Sequence, residues 1–247
     1  MVLLGITGPI GHGKSTLATM LIDSDVSSVH LETGFLVAEV ADALHQKLQS
    51  IPRADDIAGI NKWLHYLPEI AQELLHKEIT FGSIRVQKND IERDPVAYEK
   101  LFEYLDALKE QPQATQVIIT SENKKFYRPF LQWLGGYLVL KVGPGIWYDE
   151  LIRRCVGAGV ELGIISGVRF PSDATLVRKA HGKIMAIIRP ASKEVDIQDP
   201  TERDRGTITA DTIVINNGSL DDLRGISHKI LADIKTGLLP ATYIAKS

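Results

Sequence analysis

Gly8-Pro-Ile-Gly-His-Gly-Lys-Ser15 stands directly behind the apolar run Val2-Leu-Leu-Gly-Ile-Thr7 and directly ahead of Leu17-Ala-Thr-Met-Leu-Ile22. The segment satisfies G-x-x-x-x-G-K-[ST] in the strand, loop and helix context that gives this pattern its meaning. Glycines let consecutive backbone N–H groups turn inward on a nucleotide's phosphates, and the start of a helix adds its own positive pole. Lys14 then supplies a point charge to the β and γ oxygens, and the Ser15 hydroxyl is a ligand for Mg²⁺. Gly8, Gly11, His12, Gly13, Lys14, Ser15 and Thr16 are therefore the expected contacts of a nucleoside triphosphate, with ATP and Mg²⁺ as the cofactors. His12 occupies a variable position of the loop, and its side chain is expected to be solvated.

Beyond the loop, apolar runs alternate with helical periodicity. Strand-like runs are Gln116-Val-Ile-Ile-Thr120, Tyr137-Leu-Val-Leu-Lys141, Glu161-Leu-Gly-Ile-Ile-Ser166, Lys183-Ile-Met-Ala-Ile-Ile188 and Thr212-Ile-Val-Ile215, with a shorter one at Ser28 to Leu31. Helices are expected over Gly34 to Gln49, Ile57 to Leu75 with a kink at Pro68, Pro95 to Lys109, Lys125 to Leu134, Gly145 to Val156, Ser172 to His181 and Leu220 to Lys235. Near-continuous apolar strands separated by helices suit a mainly parallel sheet covered on both faces, hence a three-layer α/β P-loop NTPase fold. The tail after Gly237 reads as a loosely held terminus.

The 247 residues suit one domain spanning 1–247, with a helical insertion at about 34–110 and a lid at about 191–211. With 28 Lys and Arg against 31 Asp and Glu, the net charge of −3 gives no global attraction to nucleic acid or to an anionic membrane. Val2 to Ile6 is too short to span a bilayer. The single cysteine, Cys155, fits a reducing compartment and reads as a small buried helix residue, so a cytoplasmic protein without a cleaved signal is expected. Small nucleotides are the expected partners, and a homodimer stays open.

A phosphate loop identifies a donor, not a reaction. The acceptor side is carried by Ile164-Ile-Ser-Gly-Val-Arg-Phe-Pro-Ser-Asp173, an apolar strand that delivers Arg169 at its carboxyl end, where ligands bind in open parallel sheets. Ser172 is the expected N-cap of the following helix. The competing account of Arg169 is a structural ion pair, with Asp173 the nearest candidate.

This segment resembles the Ile-Ser-Asp-Val-Arg-Phe-Pro-Asn-Glu stretch of bacteriophage deoxynucleoside monophosphate kinases. Further pieces are similar in the same order: the phosphate loop, Tyr127-Arg-Pro-Phe-Leu-Gln-Trp-Leu-Gly135, Ile146-Trp147, Ile188-Arg-Pro190 and Ile215-Asn-Asn-Gly-Ser-Leu-Asp-Asp-Leu223. The resemblance implies a nucleoside monophosphate kinase-like fold, and transfer of the ATP γ-phosphoryl group to a deoxynucleoside monophosphate. It also implies that Arg128 and Arg169 bind the acceptor nucleotide and act with Lys14 in catalysis. A monophosphate is already an anionic nucleophile, so such a site needs cations that align two repelling phosphates rather than a strong base. Guanidinium forks suit that task.

The bland account of Arg128 is the wet side of an apolar helix. Trp147 is a candidate base-stacking residue among aromatics that also suit a core. Arg203 and Arg205, in the charged stretch 199–206, are candidate lid residues that would neutralise charge developing during transfer. Gly167 stands where the family pattern has an aspartate, Ser172-Asp173 replaces Asn-Glu, and Gly136 stands where a threonine is expected. Glu32 and Glu122 are the substitute acids for the missing carboxylate.

Two alternatives compete with this expectation. Gly5 to Thr16 also resembles the start of dephospho-coenzyme A kinases, whose hydroxyl acceptor calls for a carboxylate base. A regulatory protein that kept the loop and lost catalysis is the other.

Overall fold

A computed structural model describes residues 1–23, 26–48, 119, 123, 127–143, 145–190 and 206–245. The chain divides into two compact units, Met1–Thr33 with Trp147–Ser247, and Gly34–Ile146. Numbered among the described residues, the elements are β1 (Val2–Thr7), α1 (Lys14–Ile22), β2 (Ser28–Glu32), α2 (Thr33–Leu48), α3 (Arg128–Val142) and α4 (Ile146–Gly157), then β3 (Leu162–Ser166), α5 (Pro171–Lys179), β4 (Lys183–Ile188), β5 (Thr212–Asn216), α6 (Leu220–Thr236) and β6 (Thr242–Ala245).

The first unit is built on a six-stranded sheet in the order β2-β3-β1-β4-β5-β6. Every pairing is parallel. Side chains of successive strand residues point to opposite faces, so each strand feeds two layers. On one face Leu4, Ile6, Leu162, Ile164, Met185, Ile187 and Val214 pack with Leu17 and Leu21 of α1 and with Leu223, Ile226 and Ile230 of α6. On the other, Cys155 of α4 lies directly over Gly163, and Val177 of α5 lies over Gly5. The result is three layers, helix, sheet and helix, as the alternation of apolar runs predicts, and it is the architecture of P-loop kinases.

β1 lies at the centre, with β3 on one side and β4 on the other. From β1 the chain passes to the edge strand β2 and back to β3 beside it, then crosses β1 to wind outward through β4, β5 and β6. β1 is thus the switch point of the sheet, and the crevice beyond its carboxyl end is where doubly wound sheets hold ligands.

The segment expected to be a loose tail is instead β6, which adds to β5 from Ile213↔Thr242 to Asn216↔Ala245. Its short alternation buries Tyr243 and Ala245 while exposing Thr242 and Ile244, and the Tyr243 hydroxyl donates to Asp233 Oδ2 at 2.8 Å. Thr212 Oγ1 donates to the Pro240 carbonyl and Ile213 N to that of Ala241, which anchors the approach.

In the second unit, Tyr137 to Lys141, expected to be a strand, is part of the helix α3. A short apolar run does not distinguish a strand from a buried helix segment. The larger window does: Phe130, Leu131, Leu134, Tyr137 and Leu138 are all buried at three- and four-residue spacing. Pro129 opens the helix and Gly143 caps it. Val37 of α2 comes within ordinary contact of the position a Cβ would take on Gly135, so the two helices of this unit lie against each other there.

The strand expected at 116–120 is represented by Ile119 alone, whose N–H donates to the Asp42 carboxylate. The helices expected at 57–75 and 95–109 lie outside the described residues. No described helix is long and apolar enough to cross a membrane.

Within α4, Glu150 has a fully buried side chain held by Arg153 and Arg154, each at 2.7 Å. Burial alone would raise its pKa, but the hydrogen bonds from the two guanidinium groups outweigh it and hold the carboxyl below its ordinary value. A carboxyl depressed in the folded state stabilises the protein above its unfolded pKa, and the contribution is lost as pH falls through the folded one. Glu150→Gln is therefore expected to lower stability at neutral pH by about 1–3 kcal/mol, with the difference from the parent shrinking toward pH 3 in urea titrations. Ile164→Ala, in the strand beside β1 and fully buried, is expected to cost about 2–5 kcal/mol by the same measurement.

Candidate functional site

Because all six strands run the same way, their carboxyl ends share one edge of the first unit. β1 ends there in the phosphate loop, β2 in Glu32, β3 in the segment carrying Arg169, β4 in Arg189 and β5 in Asn216.

The loop is shaped by positive backbone angles at Gly8 (φ 144°), Gly11 (φ 80°) and Gly13 (φ 103°). A Cβ on Gly8 would lie 2.3 Å from the Ile187 carbonyl oxygen, so both its conformation and its space demand glycine. Gly13 is the N-cap of α1 and makes no side-chain cap. With no cap from Gly13 and no acidic residue in its first turn, the start of the helix favours an anion there. Lys14, the first residue of α1, arches back to donate from Nζ to the carbonyls of Gly8 (2.7 Å) and Pro9 (2.8 Å). Ser15 is exposed at the loop mouth and Thr16 is half-buried.

His12, expected to be solvated, is buried. Its Nδ1 accepts the Arg189 N–H at 2.9 Å, and its carbonyl accepts from Asn216 Nδ2 at 3.1 Å. The imidazole is thus turned into the protein, where it ties the loop to the end of β4, while Asn216 ties it to the end of β5. Sequence reasoning gave Asn216 no role. A buried amide at the carboxyl end of an apolar strand is the signal that finds it, because buried polar groups are bonded.

Across β1, the chain leaving β3 is clamped. The amides of Gly167 (3.0 Å) and Val168 (3.1 Å) both donate to the Ile6 carbonyl. Thr7 Oγ1 donates to the Val168 carbonyl at 2.7 Å, and the Tyr148 hydroxyl donates to that of Gly167 at 3.0 Å. Asp173 Oδ2 accepts the amides of Arg169 (3.3 Å) and Phe170 (3.0 Å). Phe170, not Ser172, is the N-cap of α5. Asp173 at the third helical position reaches back to cap the turn, which leaves Ser172 exposed in the first turn. Burial pushes the Asp173 carboxyl up, while those two amides and the Arg169 charge pull it down.

Arg169 is exposed. Among the described residues no carboxylate forms an ion pair with its guanidinium, so Asp173 fixes its backbone and not its charge. Gly167, where an aspartate was expected, adopts φ 87° with open space where a Cβ would stand.

Glu32 is half-buried at the end of β2, in register with Ser166. His30 Nε2 and Ser166 Oγ lie 2.7 Å apart. Burial lowers the His30 pKa against the raising effect of Glu32, which favours the neutral ring. Among the described residues no group of three or more His, Cys, Asp or Glu side chains is arranged to hold a metal. Ser15 with phosphate oxygens and water does not require one, since Mg²⁺ keeps much of its hydration shell.

In the second unit, Arg128 is exposed at the first position of α3. That helix has Tyr127 as N-cap, no side-chain cap and no acidic residue in its first turn. Trp147 is buried, only 5% exposed. Glu122, Arg203 and Arg205 lie outside the described residues.

The description deoxynucleotide monophosphate kinase belongs to the family profile that matches residues 68–226, well over half of the chain. The match takes in Arg128, Arg169 and the strands from β3 to β5. It begins after the phosphate loop, so the loop and the profile are separate lines of evidence. No curated protein sequence matches the chain. An anion cradle at the switch point, an exposed arginine beside it and a profile spanning that arginine converge: the chain belongs to the deoxynucleotide monophosphate kinase family.

Proposed function

We propose that the chain transfers the γ-phosphoryl group of ATP to a deoxynucleoside monophosphate, yielding the deoxynucleoside diphosphate and ADP. The observation that carries this reading is the pairing of β1 with β3, whose carboxyl ends lead into the phosphate loop and into Arg169. In the proposed reaction an oxygen of the acceptor phosphate forms a bond to the γ-phosphorus. The bond from that phosphorus to the β–γ bridging oxygen breaks, and the electron pair leaves with ADP. Both reactants are polyanions, so the barrier lies mainly in bringing them together in line, and fixed cations supply that.

Lys14 and the amides at the start of α1 take the donor phosphates. Mg²⁺, when bound, neutralises charge on the β and γ oxygens. Ser15 is the residue that would hold it, with Glu32 the nearby carboxylate. Arg169 grips the acceptor phosphate, and among the described residues no carboxylate forms an ion pair with it, which leaves both edges of the guanidinium for that task. Arg128 is the second acceptor ligand. Its setting supports the assignment: a cation on an uncapped helix N-terminus is unfavourable to the helix dipole and becomes favourable once an anion binds. Arg203 and Arg205 are proposed as lid cations on the charge pattern of the stretch 199–206 between two strands.

A coupled assay with ATP and a panel of ribo- and deoxyribonucleoside monophosphates tests the proposal. Acceptor-dependent ADP formation with at least one deoxynucleotide is expected. Turnover with dephospho-coenzyme A instead, or ATP binding without product from any acceptor, would overturn it. Arg169→Ala is expected to lower kcat/KM for the acceptor by about 100-fold or more while ATP affinity stays within about twofold, whereas Lys14→Ala weakens both. Equal loss of ATP binding in the two variants contradicts the acceptor assignment. Gly8→Ala forces the loop off the Ile187 carbonyl, so ATP binding measured by calorimetry is expected to fall below detection with the fold retained by circular dichroism.

A further inference from the structure

We infer that Tyr148 is a positioning residue for phosphoryl transfer, its buried hydroxyl fixing the peptide that aims Arg169. The inference rests on the reading of Arg169 as the acceptor grip. The argument follows the peptide groups in order. The Gly167–Val168 peptide is held on its carbonyl side by the Tyr148 hydroxyl at 3.0 Å and on its amide side by the Ile6 carbonyl at 3.1 Å. The Val168–Arg169 peptide is held by Thr7 Oγ1 on its carbonyl and by Asp173 Oδ2 on its amide. The amide of the Arg169–Phe170 peptide also goes to Asp173.

Gly167 at φ 87° is the softest residue of the series, with no side chain to resist rotation; its amide is held by the Ile6 carbonyl, and Tyr148 supplies the support on its carbonyl. With the hydroxyl gone, the first peptide is pinned at one end only and can turn about the glycine, which swings Arg169. A displacement of about 1 Å is enough to degrade in-line transfer severely. Tyr148 is 4% exposed, and burial drives its pKa well above the ordinary tyrosine value, with the Asp173 charge adding to the effect. The phenol therefore remains a donor across the whole working pH range, and its contribution does not titrate there.

The test is a double-mutant cycle of Tyr148→Phe and Arg169→Ala, with steady-state kinetics in both substrates and thermal unfolding of each variant. Tyr148→Phe keeps the ring packing and is expected to raise acceptor KM or lower kcat by about fivefold to tenfold, with ATP KM unchanged and the pH profile unshifted. In the Arg169→Ala background the same substitution is expected to add nothing, because its effect runs through Arg169. Additive losses, or a lowered unfolding temperature with wild-type kinetics, would mean that the hydroxyl is structural only and would overturn the inference. An Arg169→Ala variant with intact acceptor kinetics would sink the acceptor reading and this inference together. A damaged Arg169→Ala beside a silent Tyr148→Phe would sink this inference alone. Should Tyr148→Phe not fold, Thr7→Val removes the neighbouring support without touching the phenol and enters the same cycle with the same criteria.

Discussion

The Ile6 carbonyl, one residue before the end of the central strand, accepts the amides of both Gly167 and Val168. These bonds join the last turn of β1 to the first residues beyond β3, and they fix how far the phosphate loop stands from the segment that carries Arg169. Everything else in the first unit serves that junction. The apolar layers beneath α1 and α6 hold β1 in the middle of the sheet. Cys155 and Val177 press the opposite face from α4 and α5. Because parallel sheets are buried on both faces, the strand ends are the place where polar chemistry can surface, and the loop and the arginine turn both surface there.

Four of the six described helix N-termini divide by sign. α5 and α6 are capped by their own residues, Asp173 in one and Ser219 with Asp222 in the other, so their positive poles are already answered. α1 and α3 have no side-chain cap, and their first residues are the cations Lys14 and Arg128. Placing a cation there raises local positive potential where folding alone would favour an acid.

Much of this was legible in the sequence, because an eight-residue motif in its proper context specifies a strand, a loop and a helix at once. β1, β3, β4 and β5 were readable as apolar runs, and Arg169 was readable as a charge at the end of one. What escaped notice depends on long-range partners. His12 looks solvated in the sequence because its partner, the Arg189 amide, is 177 residues away. Tyr137 to Lys141 looks like a strand until Phe130 and Leu134 are added to the same face. β6 is too short to stand out, and only pairing with β5 orders it. Sequence alone offers Tyr148 as one more aromatic ring suited to a core, and the partner of its hydroxyl, the Gly167 carbonyl, is a long-range contact.

Cys155 lies over Gly163 at the centre of the α4 face of the sheet, and burial pushes its thiol up to about 11. Burial thus disfavours the thiolate, the form that reacts with alkylating reagents, and Cys155 presents no surface to solvent. Modification therefore has to wait for α4 to lift from the sheet, and α4 also carries Tyr148. The rate at which this lone sulfur is alkylated is thus a clock for the opening of the helix that braces the arginine turn, readable without substrate or turnover.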